Sequence, residues 1–265
     1  MKRNAHNVEK YLIEGNEVNS GEKLHFHHLM DKSQLLELAN CEKLGLDHEF
    51  LLEKKGRLIL LSSKYEFLRP LPKEGEAMII DTWSRGIDVV KLLREAKYYC
   101  DGINEENVFA LNTSQWAIIS EEDHKTVELS RWISQEAQED FFDDSIALTE
   151  ELDLLESFYE EGMEPVLCYK VRYSDLDINI HFHSSYYIRT AMDAFAEFRN
   201  LDPEKETIRI RSFHIQYQNE IFMGDSVSMF VKEEEDFIFM EGVDPKGECV
   251  FLVKAKMDIL DKDLD

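Results

Sequence analysis

The residues best suited to chemistry lie together in the segment 173–183, whose sequence is YSDLDINIHFH. Polar and apolar residues alternate along it, so one side of an extended chain would carry five polar side chains: Asp175, Asp177, Asn179, His181 and His183. A helix is predicted to begin immediately afterwards, and a helix start offers free backbone N–H groups and the positive end of its dipole. Carboxylate, amide and imidazole groups at such a place can activate a water, polarise a carbonyl and stabilise an oxyanion.

Two other interpretations of this segment stay open. Asp and Asn residues before a helix are often only caps and turn formers, although one helix needs only one N-cap. A metal ion could also bind to His181 and His183, with an oxygen ligand from Asp177. No distant third ligand can be identified from the sequence, which disfavours a metal site. We therefore predict that the protein needs neither a metal nor an organic cofactor.

Composition excludes several classes of function. The chain has 265 residues, 43% of them hydrophobic, which is enough for a sizeable core. Its 30 basic and 55 acidic residues give a formal net charge of −25, which disfavours general binding to nucleic acids and to anionic lipids. No apolar run is long enough to span a bilayer, and the first residues lack the apolar stretch of a signal peptide. The four cysteines are scattered, as expected of reduced thiols, so we predict a cytoplasmic protein.

The elements that must position the polar side chains form two similar halves. Residues 133–162 contain eleven acidic and no basic residues, which predicts a partly helical connector between the halves. Each half has one long helix followed by about four strands. The predicted helices are 31–44 and 182–198, and the predicted strands are 57–68, 77–83, 89–100, 107–120, 168–173, 207–220, 226–231, 237–242 and 248–259. This pattern indicates a duplicated α+β unit in which an antiparallel sheet packs against one helix.

The stretch Asp175–His181, followed by Tyr187 and Ile188, resembles the catalytic stretch of acyl-acyl carrier protein (acyl-ACP) thioesterases. This family comprises plant plastid enzymes and their bacterial relatives. Further pieces of the chain resemble the same family in the same order, so that the resemblance covers nearly the whole sequence: Thr82–Gly86, Arg94–Lys97, Ala110–Trp116, Ile215–Glu220 and Gly224–Val227.

The resemblance implies an α+β fold of the tandem (double) hotdog type, in which each half is a long helix wrapped by an antiparallel β-sheet. It implies an N-terminal hotdog domain at 1–132 that houses the acyl chain, the acidic linker at 133–162 and a catalytic C-terminal hotdog domain at 163–265.

The N-terminal half is expected to be catalytically degenerate. When His25 is aligned with His181, Lys23 falls opposite Asn179 and Gly21 falls opposite Asp177. The catalytic pattern is therefore absent from the first half.

The resemblance also implies hydrolysis of fatty acyl-ACP to free fatty acid and the carrier thiol. Carried over by position, the catalytic residues are Asp177, Asn179, His181 and Glu220. Glu220 and His181 would activate a water, and Asn179 would hold that water or the thioester carbonyl. Asp177 would fix Asn179 and His181 through hydrogen bonds, while N–H groups at the start of the second helix would receive the oxyanion. Plant members have a cysteine directly after the glutamate, where this chain has Ile221, so no covalent intermediate is expected.

Three alternatives use the same fold. The first is an acyl-CoA thioesterase with the same residues, and the second is a catalytically silent fatty-acyl binding protein. The third is a hydratase or dehydratase, since the fold alone does not decide the reaction. The retained Asp, Asn, His and Glu argue against a silent protein, and the ordered motifs favour hydrolysis.

The expected partner is an acyl carrier protein that bears a fatty acyl chain, with no nucleic acid and no membrane; homodimerisation stays open. Acyl carrier protein is acidic, so a chain with a net charge of −25 should repel it at long range. Local basic residues would have to offset this repulsion, and the candidates are Arg199, Arg209, Arg211, Lys91, Arg94 and Lys97.

Overall fold

Ten strands form one antiparallel sheet in the computed structural model, which describes residue 2 and residues 4–262 of the chain. The strands are β1 (His6–Leu12), β2 (Gly56–Phe67), β3 (Ala77–Asp88), β4 (Lys91–Cys100), β5 (Val108–Ser120), β6 (Leu167–Lys170), β7 (Glu206–Tyr217), β8 (Ser226–Glu234), β9 (Phe237–Val243) and β10 (Cys249–Asp261). The α-helices of this part of the chain are α1 (Phe26–Glu42), α2 (His48–Glu53), α3 (Gln135–Phe141) and α4 (Ser184–Phe198). The prediction of an α+β protein is confirmed. The predicted domain limits at Met1 and Asp265 lie outside the described residues.

The sheet consists of two units with the same strand connectivity. Read from one edge the order is β1-β3-β4-β5-β2, and read from the opposite edge it is β6-β8-β9-β10-β7. Helix α1 follows β1 and helix α4 follows β6, so each unit is a strand, a long helix and four further strands. The units meet where β2 pairs with β7, from Ser62↔Gln216 to Glu66↔Ser212. The strand order is therefore that of a duplicated unit, with one continuous sheet across both copies.

Helices α1 and α4 pack on the sheet and against each other. Along α4 the buried apolar residues recur at helical spacing: Tyr187, Ile188, Ala191, Ala194 and Phe195. One cluster of buried apolar side chains extends through both units. At its centre the ring of Phe26 meets the rings of Tyr65 and Phe213 edge to face, with centroids 5.0 and 5.1 Å apart. Because the two units share this core, side chains from both can reach one site.

A buried ionic network ties α1 to the strands beneath it. The side chain of Arg94, on β4, is fully buried. Its Nη1 donates to Asn40 Oδ1 at 3.1 Å and to Ser84 Oγ at 2.8 Å, and its Nε lies 3.9 Å from Glu37 Oε2. Burial raises the pKa of Glu37, and the Arg94 charge only partly offsets that effect. The expectation that Arg94 belongs to a basic surface for the carrier is therefore wrong.

The acidic connector lies against the sheet along much of its length. After α3 it continues without regular secondary structure to β6. The backbone N–H of Leu155 donates to Gln216 Oε1 at 3.0 Å. The N–H groups of Phe158 and Tyr159 donate to the carboxylate of Glu241 at 2.8 and 3.0 Å. The backbone N–H groups of the connector therefore hold it on the second unit, although the connector has no basic side chain that could pair with Glu241.

Most predicted elements are present with shifted ends. Helix α1 begins at Phe26 rather than at the predicted Asp31, because His25 precedes it in an extended conformation as N-cap. Strand β1 was not predicted, because it is an edge strand whose side chains are mostly exposed and show no apolar alternation. The strand predicted to reach Glu220 ends at Tyr217, so Glu220 lies in the loop that follows. None of the helices in residues 4–262 is long and apolar enough to cross a membrane.

Candidate active site

The segment before α4 folds into a tight turn around Asp177. Its Oδ1 accepts hydrogen bonds from the backbone N–H groups of Asn179 at 2.8 Å and His181 at 3.0 Å. The backbone N–H of Asp177 donates to the carbonyl of His181 at 2.8 Å, and Ile180 adopts a positive φ of 65° to close the turn. An aspartate side chain commonly stabilises such a turn by bonding to N–H groups ahead of it. The expected extended segment with five polar groups on one side is therefore wrong.

Asp175 and His183, two of the five polar residues, have structural partners. Asp175 is buried and accepts from Tyr169 Oη at 2.7 Å and from Arg189 Nη2 at 2.9 Å. Burial alone would raise the pKa of Asp175, but these hydrogen bonds outweigh it and lower that pKa. His183 is the N-cap of α4, where its Nδ1 accepts from the N–H of Ser185 at 3.4 Å.

The first turn of α4 is less available to an oxyanion than expected. The N–H of Ser185 bonds to the side chain of His183, and the N–H of Tyr186 donates to the His183 carbonyl at 2.8 Å. These two donors are therefore already satisfied within the helix cap. The expectation that they receive the oxyanion does not fit their geometry.

His181 and Glu220 come together because two loops are joined directly beside them. The N–H of Phe182 donates to the carbonyl of Ile221 at 3.0 Å. This bond holds the two loops together, so that the preceding residues, His181 and Glu220, lie side by side. Nε2 of His181 lies 3.4 Å from Oε2 of Glu220. The His181 side chain is 13% exposed and that of Glu220 is 43% exposed, so the carboxylate remains open to solvent while the imidazole is largely enclosed. The ring of Phe222 covers His181 with the centroids 4.9 Å apart.

Arg57 joins this pair from the other unit, although it was not predicted from the sequence. It is the second residue of β2, and its Nη1 lies 3.1 Å from Nδ1 and 3.0 Å from Nε2 of His181. The same Nη1 is 3.7 Å from Oε1 of Glu220. The only sequence signal was a charged residue at the head of the apolar run LILL, 124 positions away from His181.

The four predicted site residues therefore take different places. The side chains of His181 and Glu220 face each other, and Asp177 acts on the backbone of the turn. The side chain of Asn179 is exposed at the tip of that turn. The hypothesis of a metal held by both histidines has little support, because His183 faces Asp31 Oδ1 at 3.6 Å instead of the His181 side. Within the described part of the chain, no three His, Cys, Asp or Glu side chains converge on a common point as metal ligands would.

A matching turn lies in the first unit and corrects the predicted alignment of the two halves. Oδ1 of Asn19 accepts from the N–H groups of Gly21 at 2.8 Å and Lys23 at 3.3 Å, as Asp177 does in the second unit. Glu22 has a positive φ of 59°, like Ile180. The N–H of Leu24 donates to the Pro72 carbonyl at 2.8 Å, which corresponds to the bond from Phe182 to Ile221.

These matched bonds shift the alignment by two residues from the predicted one. Lys23 now stands opposite His181, and Leu71, the residue before Pro72, stands opposite Glu220. The first unit thus has the turn but neither the imidazole nor the carboxylate. A cavity of about 380 Å³ adjoins this turn, with Lys23, His25, His27 and Leu71 in its wall. The cavity does not include the His181–Glu220 pair.

Comparison with known proteins agrees with the resemblance in the sequence. Residues 160–256 match the family model described as acyl-ACP thioesterase C-terminal domain. No curated protein matches the chain. Among solved structures, an acyl-ACP thioesterase from Bacteroides thetaiotaomicron VPI-5482 is 21% identical with a TM-score of 0.82, covering 97% of this chain and 100% of its own. The 12:0-ACP thioesterase from Umbellularia californica is 14% identical with a TM-score of 0.79, covering 97% of this chain and 98% of its own.

These two structures have the same fold as this chain over almost its whole length. The matched family segment contains three of the described features: the turn at Asp177, His181 and Glu220. The resemblance to acyl-ACP thioesterases, which are thioester hydrolases, is confirmed.

Proposed function

We propose that this protein, whose residues 160–256 match the acyl-ACP thioesterase family, hydrolyses fatty acyl-ACP to free fatty acid and the carrier thiol. The observation that carries the proposal is the meeting of His181 and Glu220, 3.4 Å apart, inside the segment that matches the family. An imidazole and a half-exposed carboxylate in contact are suited to activating a water.

The fold supports the same proposal. We infer that each five-stranded unit with its long helix is a hotdog domain, so that the chain is a tandem hotdog protein. The proposed limits are 1–132 for the N-terminal domain, 133–162 for the linker and 163–265 for the catalytic domain. We assign the acyl chain to the N-terminal unit, because its own turn has Lys23 and Leu71 where the second unit has His181 and Glu220.

In the proposed reaction Glu220 accepts a proton from water as the water oxygen bonds to the thioester carbonyl carbon. The electron pair of the C=O bond moves to the carbonyl oxygen, and we assign the side-chain NH₂ of Asn179 as a donor to that oxyanion. When the oxyanion re-forms the carbonyl, the C–S bond breaks and the thiolate takes the proton back from Glu220. His181 donates to Glu220 throughout and keeps the carboxylate in position. This route needs no acyl-enzyme, and the cysteine nucleophile of the plant members has no counterpart here, because the residue after Glu220 is the buried Ile221.

Thiol release from a series of acyl-ACPs and acyl-CoAs tests the proposal. We expect the wild-type protein to release thiol with a preference for the ACP substrates. Glu220→Gln and His181→Ala should lower kcat by about 100-fold or more, the range for loss of a general base. Matched controls are Glu204→Gln and His48→Ala, which change exposed residues outside the site and should keep wild-type rates.

Each other outcome points to a different function. Equal or faster release from acyl-CoA would favour an acyl-CoA thioesterase with the same site. No release from any substrate, with acyl chains nonetheless bound, would contradict the enzyme and favour the non-catalytic fatty-acyl binding protein. Wild-type rates in both Glu220→Gln and His181→Ala would show that the chemistry takes place elsewhere.

A further inference from the structure

Arg57 contacts the His181–Glu220 pair but has no part in the proposed reaction. Its guanidinium comes from the N-terminal unit, touches both ring nitrogens of His181 and faces Glu220 at 3.7 Å. The Arg57 side chain is 18% exposed, and its Nε is buried without a hydrogen-bond partner. An unsatisfied buried donor costs stability, so a charged side chain held in this way calls for an explanation other than packing.

Hydrogen-bond chemistry restricts what the three side chains can do together. Arginine only donates hydrogen bonds, so Arg57 can bond only to an unprotonated ring nitrogen of His181. Nε2 is also the nitrogen that faces Glu220, at 3.4 Å, where a proton is needed to bond to the carboxylate. One arrangement gives both contacts a donor and an acceptor: Nδ1 accepts from Arg57 Nη1, and Nε2–H donates to Glu220.

We propose that Arg57 is a positioning residue, supplied by the N-terminal unit, that holds His181 as the Nε2–H tautomer and thereby aims Glu220 at the water. This role rests on the proposed function for its catalytic consequence but not for its effect on the imidazole. It makes the reaction depend on both units, although the reacting groups lie in the second.

The first unit supports this role by comparison. The residue of β7 that corresponds to Arg57 is Thr207, since both are the second residues of equivalent strands. Thr207 lies against the matching turn, since a Cβ on Gly21 would clash with its Oγ1. The unit without the imidazole and the carboxylate thus also lacks the guanidinium. Of these two equivalent positions, the arginine occupies the one beside the His–Glu pair. This is expected if the arginine positions that pair and is not needed to form the sheet.

Steady-state kinetics with acyl-ACP test the catalytic consequence. Arg57→Met should lower kcat by about 10- to 100-fold with KM changed by less than about threefold, because a misplaced reacting group affects the chemical step. Arg57→Lys keeps a cationic donor and should recover part of that loss. The matched control is Arg131→Met, which removes an exposed arginine of the first unit that is paired with Glu128.

The imidazole itself is tested by ring ¹⁵N NMR at neutral pH, with His181→Gln to assign the resonance. The wild-type spectrum should show His181 as a single Nε2–H tautomer, and Arg57→Met should show both tautomers. Unchanged tautomers in folded Arg57→Met or Arg57→Ala protein, or an unchanged kcat in Arg57→Met, would overturn the proposal. If the wild-type protein releases no thiol while Arg57→Met still shifts the tautomers, the proposed function fails and the positioning role stands.

Discussion

At the scale of single residues, Asp177 organises the turn that carries His181 through the backbone. Both of its described acceptor bonds go to backbone N–H groups, those of Asn179 and His181. Its carboxylate therefore sets the direction in which the next two polar side chains leave the backbone. The type and spacing of Asp177 made it a candidate in the sequence, but its contacts with the backbone follow only from the turn.

We expect Asp177→Ala to lower kcat by about 10- to 100-fold, because the turn that carries His181 loses two backbone hydrogen bonds and the imidazole moves. Asp177→Asn keeps an oxygen acceptor and should retain most of the activity. The matched control is Asn19→Ala, which removes the same two bonds in the first unit. It should lower the free energy of unfolding by a similar amount, about 1 kcal/mol per bond, with no change in kcat. Equal kcat in Asp177→Ala and the wild type would contradict this role.

At the scale of elements, α1 is fixed to β3 and β4 by polar as well as apolar contacts. Arg94 bonds to Asn40 on the helix and to Ser84 on the neighbouring strand, and its Nε lies 3.9 Å from Oε2 of Glu37, also on the helix. The same helix begins next to the turn at Lys23 and packs against α4, so its placement affects both units.

Arg94→Met should lower the free energy of unfolding by about 3–5 kcal/mol in urea denaturation, because it leaves Glu37 buried without its cation. Protonation of Glu37 limits the loss, since burial already raises the pKa of this carboxyl. Adding Glu37→Leu to Arg94→Met should recover much of the stability, which a double-mutant cycle measures. Lys97→Met, on the same strand and paired with exposed Glu105, serves as the control and should cost less than about 1 kcal/mol. If Lys97→Met lowered the free energy of unfolding as much as Arg94→Met does, the buried network would contribute no more to stability than an exposed ion pair.

At the scale of the whole molecule, the seam between the units, where β2 pairs with β7, contains a buried histidine. This histidine should make the free energy of unfolding depend on pH. His214 on β7 is 3% exposed, and its Nε2 lies 2.8 Å from Ser62 Oγ on β2. Burial, followed by the charge of Lys64, lowers the pKa of His214 from 6.5 to about 4. Between the ordinary pKa of 6.5 and the lowered pKa of about 4, His214 binds a proton in the unfolded chain but not in the folded chain. The contribution of His214 to the free energy of unfolding is therefore full above pH 6.5 and falls as the pH is lowered towards 4.

For His214 alone, the expected loss of unfolding free energy between pH 7.5 and pH 5.0 is about 2 kcal/mol. His27 and His25, whose pKa values burial also lowers, add to the loss with the same sign. His214→Gln should therefore reduce the pH dependence by about 2 kcal/mol without removing it. Urea denaturation of both proteins at the two pH values measures the difference. Parallel pH profiles for His214→Gln and the wild type would show that the seam does not control acid stability.

The sequence by itself determined the local elements and the candidate residues of the site. Helix α4 and eight of the strands were predicted close to their observed positions, because apolar periodicity and Gly-acid turns act within a few residues. The segment with Asp177, Asn179 and His181 was identified for the same reason, since its signal lies in residue types at short spacing. Glu220 was found only through the resemblance to a family, because an acidic residue near a strand end carries no signal of its own.

The tertiary structure alone decided which of these residues meet and what surrounds them. The bond between the Phe182 N–H and the Ile221 carbonyl brings His181 to Glu220, and the pairing of β2 with β7 brings Arg57 to both. It also placed Arg94 in the core, where a basic residue was expected on the surface. Contacts of this kind join positions more than thirty residues apart, and they depend on strand order across the whole sheet. No local pattern of hydrophobicity or charge encodes that order, so it had to be observed.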